Sequence, residues 1–180
     1  MPYYSKDETD MEYIFNQIVL VITAFILGIG TVLEPPASPS AASVIGTSTA
    51  QVAQVIDGDT IAVTLGTSSR PLKVRYIGID TPEPYAHQTP DCGSNEASVR
   101  NRELVENKLV TLIPGRDPYD TYGRLLAYVY VDDIFVNEQL VREGYASVLM
   151  IQPNTQYRTH FTNLYTNARI HRLGMWSLCD

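Results

Sequence analysis

The sequence predicts an α+β fold, mainly β: a five-stranded barrel of the OB type with three α-helices packed outside it, preceded by an N-terminal hydrophobic segment. Two observations support this prediction. Five runs rich in valine, isoleucine and other strand-favouring residues follow residue 50. A helical pattern separates the third run from the fourth, and two more follow the fifth. Five strands with a helix at that place fit a small closed barrel.

The composition is that of one globular domain, but its charge is acidic. The chain has 180 residues, of which 44% are hydrophobic and 18% charged, and its net charge is −7. The part after residue 50 carries 12 basic and 15 acidic residues, which leaves −3. A protein that bound nucleic acid by bulk attraction would be basic, so any such binding should be local to one site.

The N-terminal region decides the predicted location. An acidic tail, residues 1–12, precedes an uncharged and almost wholly apolar segment, residues 13–33, which is close to the ~20 residues that span a bilayer. This segment is either a signal anchor or a signal peptide. The preceding KDETDME has one lysine, which favours an uncleaved anchor, whereas PPASPSAAS could contain a cleavage site. Both alternatives predict that the rest of the chain lies outside the cell, secreted or anchored to the membrane.

A linker and three strands come next. Residues 34–50 are rich in proline, serine and alanine, as linkers are, and residues 51–180 are predicted to form the folded domain. The run AQVAQVIDGDTIAVTLG reads as two strands broken at Asp57 and Gly58, and PLKVRYIGID reads as a third.

The second half of the domain mixes helices and strands. Ser94 is the expected N-cap of a helix over EASVRNRELVENKL, whose apolar residues recur at near-helical spacing as far as Leu109. VTLIPG and LLAYVYVD supply two further strands. NEQLVREGYA predicts a short helix that ends at Gly144, and TQYRTHFTNLYTNARIHRLG predicts a longer one that ends at Gly174.

The two cysteines, Cys92 and Cys179, are too few for a disulfide framework and are not spaced as a zinc site. They are either a single bridge or two unrelated thiols. The predicted extracellular location favours the bridge.

Carboxylates occur in two short motifs. Asp57-Gly58-Asp59 alone is typical of a tight turn, but its second acid, Asp59, also suits a calcium or magnesium ion. In IDTPEP, Asp80 ends a strand and Glu83 follows three residues later. The pair predicts two carboxylates at one rim of the barrel, where one can bind a metal ion and the other can face a water molecule.

Two arginines accompany these acids. Arg75 precedes Asp80 by five residues in the same predicted strand, so regular alternation would place them on opposite faces. A twist, bulge or turn is therefore required if both serve one site. Arg124 follows Tyr122 and Gly123 at a strand entry, where it is either a surface arginine or a bidentate phosphate ligand.

Taken in order, DGDT, RYIGIDTPE, YGRLLAYVYVDD, VNEQLVREGYA and GMWS resemble the staphylococcal nuclease (thermonuclease) family across roughly residues 51–178. The resemblance implies an OB-fold barrel with three helices. It also implies a calcium-dependent nuclease that cleaves DNA and RNA on the 5′ side of the phosphodiester and leaves 3′-phosphorylated products.

The resemblance further implies metal and water roles for four residues. Asp59 and Asp80 match the carboxylates that ligate Ca²⁺ in the family, and the backbone carbonyl of Thr81 matches a further ligand. Glu83 matches the glutamate assigned to water activation, either as general base or as the acceptor that orients the water.

The same resemblance implies how substrate is held. Arg75 and Arg124 match the two phosphate-binding arginines, and Tyr122 is retained for base or sugar stacking. Leu149 and Ile151 stand where the type enzyme has two nucleotide-contacting tyrosines, which predicts weaker affinity for a terminal nucleotide.

The predicted partners are DNA and RNA substrates, with single strands favoured, and the membrane through residues 13–33 if that segment is uncleaved. No obligate protein partner is predicted, and the expected state is a monomer. Two alternatives remain open: a non-catalytic OB-fold module that binds single-stranded nucleic acid, and an extracellular scaffold. The histidines are interpreted as solvated side chains rather than metal ligands: His87, His160 and His171.

Overall fold

A computed structural model describes residues 46–84 and 89–179 of the chain. The predicted acidic tail, apolar segment and most of the linker lie outside these ranges, as does His87. Within the described ranges, every helix is too short or too polar to span a bilayer.

The strands are β1 (Ser48–Val55), β2 (Thr60–Thr64), β3 (Leu72–Tyr76), β4 (Gly78–Asp80), β5 (Leu109–Tyr119), β6 (Leu125–Val131), β7 (Ile134–Phe135) and β8 (Ser147–Leu149). The helices are α1 (Ser94–Val105), α2 (Val136–Arg142), α3 (Arg158–Ile170) and a 3₁₀ helix (Gly174–Ser177).

Five strands form a closed barrel, which confirms the predicted fold class. Antiparallel pairing gives the order β3-β2-β1-β5-β6, and a parallel contact between β3 and β6 closes it. In that contact Arg75 lies beside Leu126. Closure leaves these five strands without a free edge to satisfy.

The barrel interior is filled by the alternating apolar residues that predicted the strands. In β1 the alternation breaks, because a register shift between Val52 and Gln54 turns Val55 inward. The fully buried side chains of the barrel strands are Ile61, Val63, Val74, Val110, Leu112, Leu125, Ala127 and Val129. α2 and α3 cover one end of the barrel with Leu140, Val141 and Phe161.

The predicted third strand is two strands, β3 and β4. Only Ile77 separates them; Gly78, which has φ +84°, opens β4, and β4 pairs with β8 in a small second sheet. A side chain at position 78 would meet Met150 Cε and Phe161 Cε2 at 3.0 Å, so both the dihedral and the packing require glycine. The chain therefore changes direction between Arg75 and Asp80.

The prediction for the start of α1 was wrong. Gly93, with φ +83°, occupies the N-cap position, and Ser94 is the first helical residue and is buried. The helix also ends earlier than its apolar spacing indicated, because Asn107 takes φ +59° and Leu109 opens β5.

Two other boundaries differ from the sequence-based expectation. α3 ends at Ile170, four residues before Gly174, because Arg172 takes φ +51° and Gly174 begins the 3₁₀ helix. β1 begins at Ser48, so the last three residues of the predicted linker belong to the barrel. α2 does end beside Gly144, whose φ is +80°.

Of the two alternatives for the cysteines, the structure contains the bridge. Cys92, just before α1, is bonded to Cys179, just after the 3₁₀ helix, across 87 residues of sequence. The disulfide thus joins the two ends of the chain segment that contains α1 to α3.

Candidate active site

Arg75 lies between two carboxylates at one end of the barrel. Its Nη1 is 2.8 Å from Asp59 Oδ2, and its Nη2 donates to Asp80 Oδ1 at 2.7 Å. Nη1 also donates to the Ile79 carbonyl at 2.9 Å. The change of direction at Gly78 makes this possible, because it returns Asp80 to the side of the barrel on which Arg75 lies.

Asp59 is the most buried acid of the site, with 1% of its surface exposed. Its Oδ2 accepts hydrogen bonds from the backbone N–H and Oγ1 of Thr81, at 2.8 and 3.0 Å, and its Oδ1 accepts one from Thr60. Burial raises the pKa of Asp59 to about 7; Arg75 opposes that rise and Asp57 adds to it. The carboxyl is fixed in place but poorly solvated.

The turn that carries Asp59 is held from behind by a buried network. Tyr76 donates its hydroxyl to Asn101 Oδ1 at 2.9 Å, and Asn101 Nδ2 donates to the Asp57 carbonyl at 2.9 Å. A side chain at Gly58 would come within 2.6 Å of Thr81 Oγ1, so this glycine allows the turn to approach Thr81 closely. β3, α1 and the turn are thereby locked together.

The donor set at this end fits a hard cation. Asp59 and Asp80 bring two carboxylates to the same guanidinium, and the side chain of Asp80 is 44% exposed. Thr81 follows Asp80 directly in sequence and donates two hydrogen bonds to Asp59. Among residues 46–84 and 89–179 no group of three or more acidic, histidine or cysteine side chains is arranged to hold a metal ion. Two carboxylates, a carbonyl and water would therefore complete the coordination.

Glu83 shares the electrostatic environment of these groups. It is half-buried, and burial raises its pKa. Asp57 and Asp80 add to this rise, whereas Arg75 and Arg124 oppose it. Both arginines and Asp80 thus act on one carboxyl group.

Arg124 is oriented by Asp120, a residue that sequence reasoning missed. Asp120 Oδ2 accepts from Arg124 Nε at 2.6 Å, and Oδ1 accepts the backbone N–H groups of Tyr122 and Arg124 at 2.9 Å. Partial burial acts to raise the pKa of Asp120, but the hydrogen bonds from Arg124 lower it. The available signal was an aspartate two residues before Tyr122, which is the spacing of an Asx turn.

The two arginines line one cavity of about 370 Å³. Tyr122, which is 83% exposed, lies under the Arg124 guanidinium at 5.5 Å from the ring centroid. Leu149 and Ile151 form an apolar part of the wall. The predicted phosphate and nucleotide residues therefore meet at one place.

The other histidines and Trp176 contribute nothing to this place. His160 bonds to Glu138 on α2, and His171 bonds to a carbonyl of its own helix. Trp176 packs edge-on against Tyr165 at the C-terminus.

The sequence resembles known nucleases over most of its length. It is 36% identical over 160 residues to a thermonuclease of Staphylococcus intermedius, a match that covers 88% of this chain and 90% of that protein. It is 43% identical over 129 residues to the SPbeta prophage-derived endonuclease YokF and 42% identical over 129 residues to endonuclease YncB, both of Bacillus subtilis (strain 168). Those two matches cover 69% of this chain but only 42% and 59% of the relatives, so the chain spans less than two thirds of either.

A family model described as staphylococcal nuclease homologue matches residues 73–178. These residues include the IDTPEP motif, α1 to α3 and the lining of the cavity that contains Arg75 and Arg124. This match and the thermonuclease relative confirm the resemblance seen in the ordered motifs. The chain belongs to the staphylococcal nuclease family.

Proposed function

We propose that this chain is a calcium-dependent phosphodiesterase that hydrolyses DNA and RNA to 3′-phosphorylated products. The observation that carries the proposal is the placement of Arg75 between Asp59 and Asp80 and on the same cavity as Arg124. Both arginines also act electrostatically on the Glu83 carboxyl. The relatives named as thermonuclease and endonuclease support it.

In this proposal Asp59, Asp80 and the Thr81 carbonyl hold Ca²⁺. The bound ion would supply positive charge against the charge that develops on the phosphate oxygens. The carboxylates keep that charge at the end of the barrel where both arginines lie.

The arginines hold the phosphate for attack. Guanidinium groups donate in a planar fork that suits phosphate oxygens. Arg75, in β3, and Arg124, the residue before β6, line one cavity. A donor aimed at developing charge is worth about 3–4 kcal/mol in a water-poor site. Asp120 and the Tyr122 ring limit the rotamers of Arg124, which leaves its guanidinium ordered before substrate arrives.

Glu83 accepts a proton from the attacking water. As the water oxygen bonds to phosphorus, the bond from phosphorus to the 5′ oxygen breaks and the phosphate stays on the 3′ oxygen. The 5′ oxygen leaves with the electron pair of that bond and takes a proton from solvent to become a hydroxyl. A general base works best when its pKa lies near the working pH, and partial burial moves that of Glu83 in this direction.

The cavity wall favours unpaired nucleotides. Tyr122, Leu149 and Ile151 offer flat or apolar surface, on which exposed bases of a single strand can pack without sequence preference. Bases within a duplex are stacked on each other and cannot reach such a wall.

We expect the chain to act as a monomer.

We place the domain outside the cell, secreted or anchored through residues 13–33. The Cys92–Cys179 disulfide supports this location, because disulfides persist in oxidising compartments.

The test is cleavage of end-labelled single-stranded DNA and RNA by the full chain, in detergent, with calcium or with a chelator. We expect calcium-dependent cleavage whose products carry 3′ phosphate, and cleavage by Glu83→Gln that is slower by about 10²- to 10⁴-fold. Binding without cleavage would instead favour a non-catalytic single-strand-binding module. Neither binding nor cleavage would favour a scaffold.

A further inference from the structure

Glu83 lies in a segment that cannot hold its own backbone. β4 ends at Asp80 and α1 begins at Ser94, so the residue belongs to no regular element. Its neighbours are Pro82 and Pro84, neither of which has a backbone N–H to donate. The position of Glu83 must be set by contacts from elsewhere.

Asp91 supplies those contacts through two reciprocal hydrogen bonds. The Glu83 N–H donates to Asp91 Oδ2 at 3.2 Å, and the Asp91 N–H donates to the Glu83 carbonyl at 3.0 Å. One bond uses the side chain and the other the backbone, so together they fix both the distance and the orientation of the two residues.

Asp91 is itself anchored on both sides. Its carbonyl accepts the Ser94 N–H at 3.1 Å, which joins it to the first turn of α1. Its neighbour Cys92 is covalently bonded to Cys179, whose N–H donates to the Met175 carbonyl at 2.9 Å in the 3₁₀ helix. The support of Glu83 thus extends to the C-terminal end of the domain.

The disulfide and the acidic residues face a common space. Asp80, Glu83, Asp91 and both cysteines line one cavity of about 340 Å³. A change in the bridge can therefore reach Glu83 through a single intervening residue, Asp91.

We propose that Asp91 is a positioning residue for Glu83 and that the Cys92–Cys179 disulfide anchors Asp91 in that role. The kinetic consequence rests on the proposed function, since it requires that Glu83 act on water. The structural consequence, an ordered Glu83 backbone, does not.

The kinetic test uses the full chain and compares Asp91→Ala with Asp91→Asn. We expect Asp91→Ala to lower kcat by about 10-fold with KM within about 2-fold, because a small displacement of a reacting group slows chemistry more than binding. Asp91→Asn retains a side-chain oxygen that accepts the Glu83 N–H, so it should restore most of the rate. Asp133→Ala, which removes an exposed acid on the β6–β7 turn, is the matched control.

A double-mutant cycle separates positioning from a general structural effect. In a Glu83→Gln background Asp91→Ala should cause no further loss, because the group through which it acts is already disabled. Equal losses in both backgrounds would overturn the proposal, as would a wild-type rate in Asp91→Ala.

The anchoring role is tested with Cys92→Ala/Cys179→Ala, assayed well below its melting temperature. We expect kcat to fall, by no more than Asp91→Ala causes, and the two changes together to be less than additive. An unchanged rate in the folded variant would remove the disulfide from the proposal. If Asp91→Ala does not fold, the Cys92→Ala/Cys179→Ala variant provides the kinetic test of the proposal instead.

Amide hydrogen exchange measured by NMR gives a readout that does not depend on activity. The Glu83 N–H should exchange at least about 10-fold faster in Asp91→Ala and remain protected in Asp91→Asn. Equal exchange in wild type and Asp91→Ala would overturn the positioning role. If wild type shows no cleavage, the proposed function fails, while the exchange result still decides the role of Asp91.

Discussion

Arg75 is a single cation between two carboxylates, and this imbalance of charge would favour the binding of further positive charge at the site. Asp59 and Asp80 both lie against its guanidinium, and Asp59 has almost no access to water. Burial of an acid that is incompletely compensated is costly. A divalent cation held by the same two carboxylates would reduce that cost, so binding should be visible as increased stability.

Calcium should therefore stabilise the fold. At a concentration 100 times its Kd, it should raise the free energy of unfolding by about 2.7 kcal/mol, and a chelator should reverse the gain. Asp80→Ala should abolish most of the effect, whereas Asp133→Ala should keep it. Thermal melts with and without calcium measure this, and a melting temperature that never responds to calcium would contradict the metal site.

Glu83→Gln should slow the reaction far more than it weakens binding. The amide keeps the size of the side chain but cannot take a proton, and loss of a general base costs about 10²- to 10⁴-fold in rate. Single-turnover cleavage gives the rate, and fluorescence anisotropy gives the affinity. Glu96→Gln, an exposed residue in the first turn of α1, is the control that should leave both unchanged. A loss that appeared only in affinity would speak against water activation.

At the scale of elements, the break between β3 and β4 brings Arg75 and Asp80 into contact in one site. A regular strand would have pointed Arg75 and Asp80 to opposite faces, and the left-handed glycine at position 78 prevents this. The requirement for a break was predictable from the five-residue spacing, because alternation has a period of two. Its position was not, since PLKVRYIGID is apolar enough to read as one strand.

Gly78→Ala should damage both the fold and the site. The new methyl group would be strained by φ +84° and would press on Met150 and Phe161, so we expect a loss of about 1–3 kcal/mol in unfolding free energy and weaker calcium binding. Gly66→Ala is the matched control, because Gly66 also has positive φ but nothing within 4 Å of the added group. Denaturant unfolding and calcium titration measure both effects. Equal losses in the two variants would show that the packing at position 78 is unimportant.

Arg100 in α1 forms an ion pair with Glu143, the residue that follows α2. This ion pair should make stability depend on pH. Burial acts to raise the pKa of Glu143, but hydrogen bonds from Arg100 and Gln139 outweigh it and lower the pKa. A carboxyl with a lowered folded-state pKa stabilises the fold above its unfolded pKa, and this contribution is lost as the pH falls.

Glu143→Gln should therefore cost about 1 kcal/mol at pH 7, and the difference from wild type should shrink as the pH falls below about 4.5. Urea unfolding across this range measures it. Glu103→Gln, which removes a more exposed partner of the same Arg100, should cost less. A difference that persisted unchanged into acid would argue against the ion pair as its source.

The sequence predicts those elements whose stabilising contacts are between residues close together in the chain. Strands and helices came from local periodicity, and the acids and arginines of the site from short ordered motifs. The N-cap of α1 could not be predicted, because Gly93 packs on Met175, which is distant in sequence. The end of α3 could not be predicted, because Arg172 takes a positive φ that is uncommon for a residue other than glycine. The contacts of Asp91 and Asp120 were missed for a simpler reason: an aspartate within a few residues of a proline or glycine is typical of any turn.

At the scale of the whole molecule, an acidic domain must bind a polyanion through few contacts. The portion after residue 50 has a net charge of −3, and the cavity presents two arginines to substrate, Arg75 and Arg124. Affinity that depends on two phosphate contacts should respond weakly to salt.

We expect the logarithm of the affinity for single-stranded DNA to fall with the logarithm of salt concentration at a slope of about −1 to −2, near −0.7 per contact. Arg124→Ala should make the slope shallower by about 0.7. Anisotropy titrations with the Glu83→Gln variant, whose slow cleavage leaves the substrate intact during the titration, provide the measurement. A slope of about −4 or steeper would indicate a wider basic surface.

The parallel contact between β3 and β6 has a consequence for when the enzyme becomes competent. It places Arg75 beside Leu126, two residues from Arg124, so the two arginines share a cavity only after strands separated by about fifty positions have paired. Contacts that distant in sequence are slow to form. A polypeptide still in synthesis, with β1 to β4 and Glu83 made but β6 not yet made, has the acids of the site and lacks the second arginine. Such a nascent chain would not cleave the nucleic acid of the cell that makes it. Cleavage would become possible only when β3 and β6 pair and close the barrel.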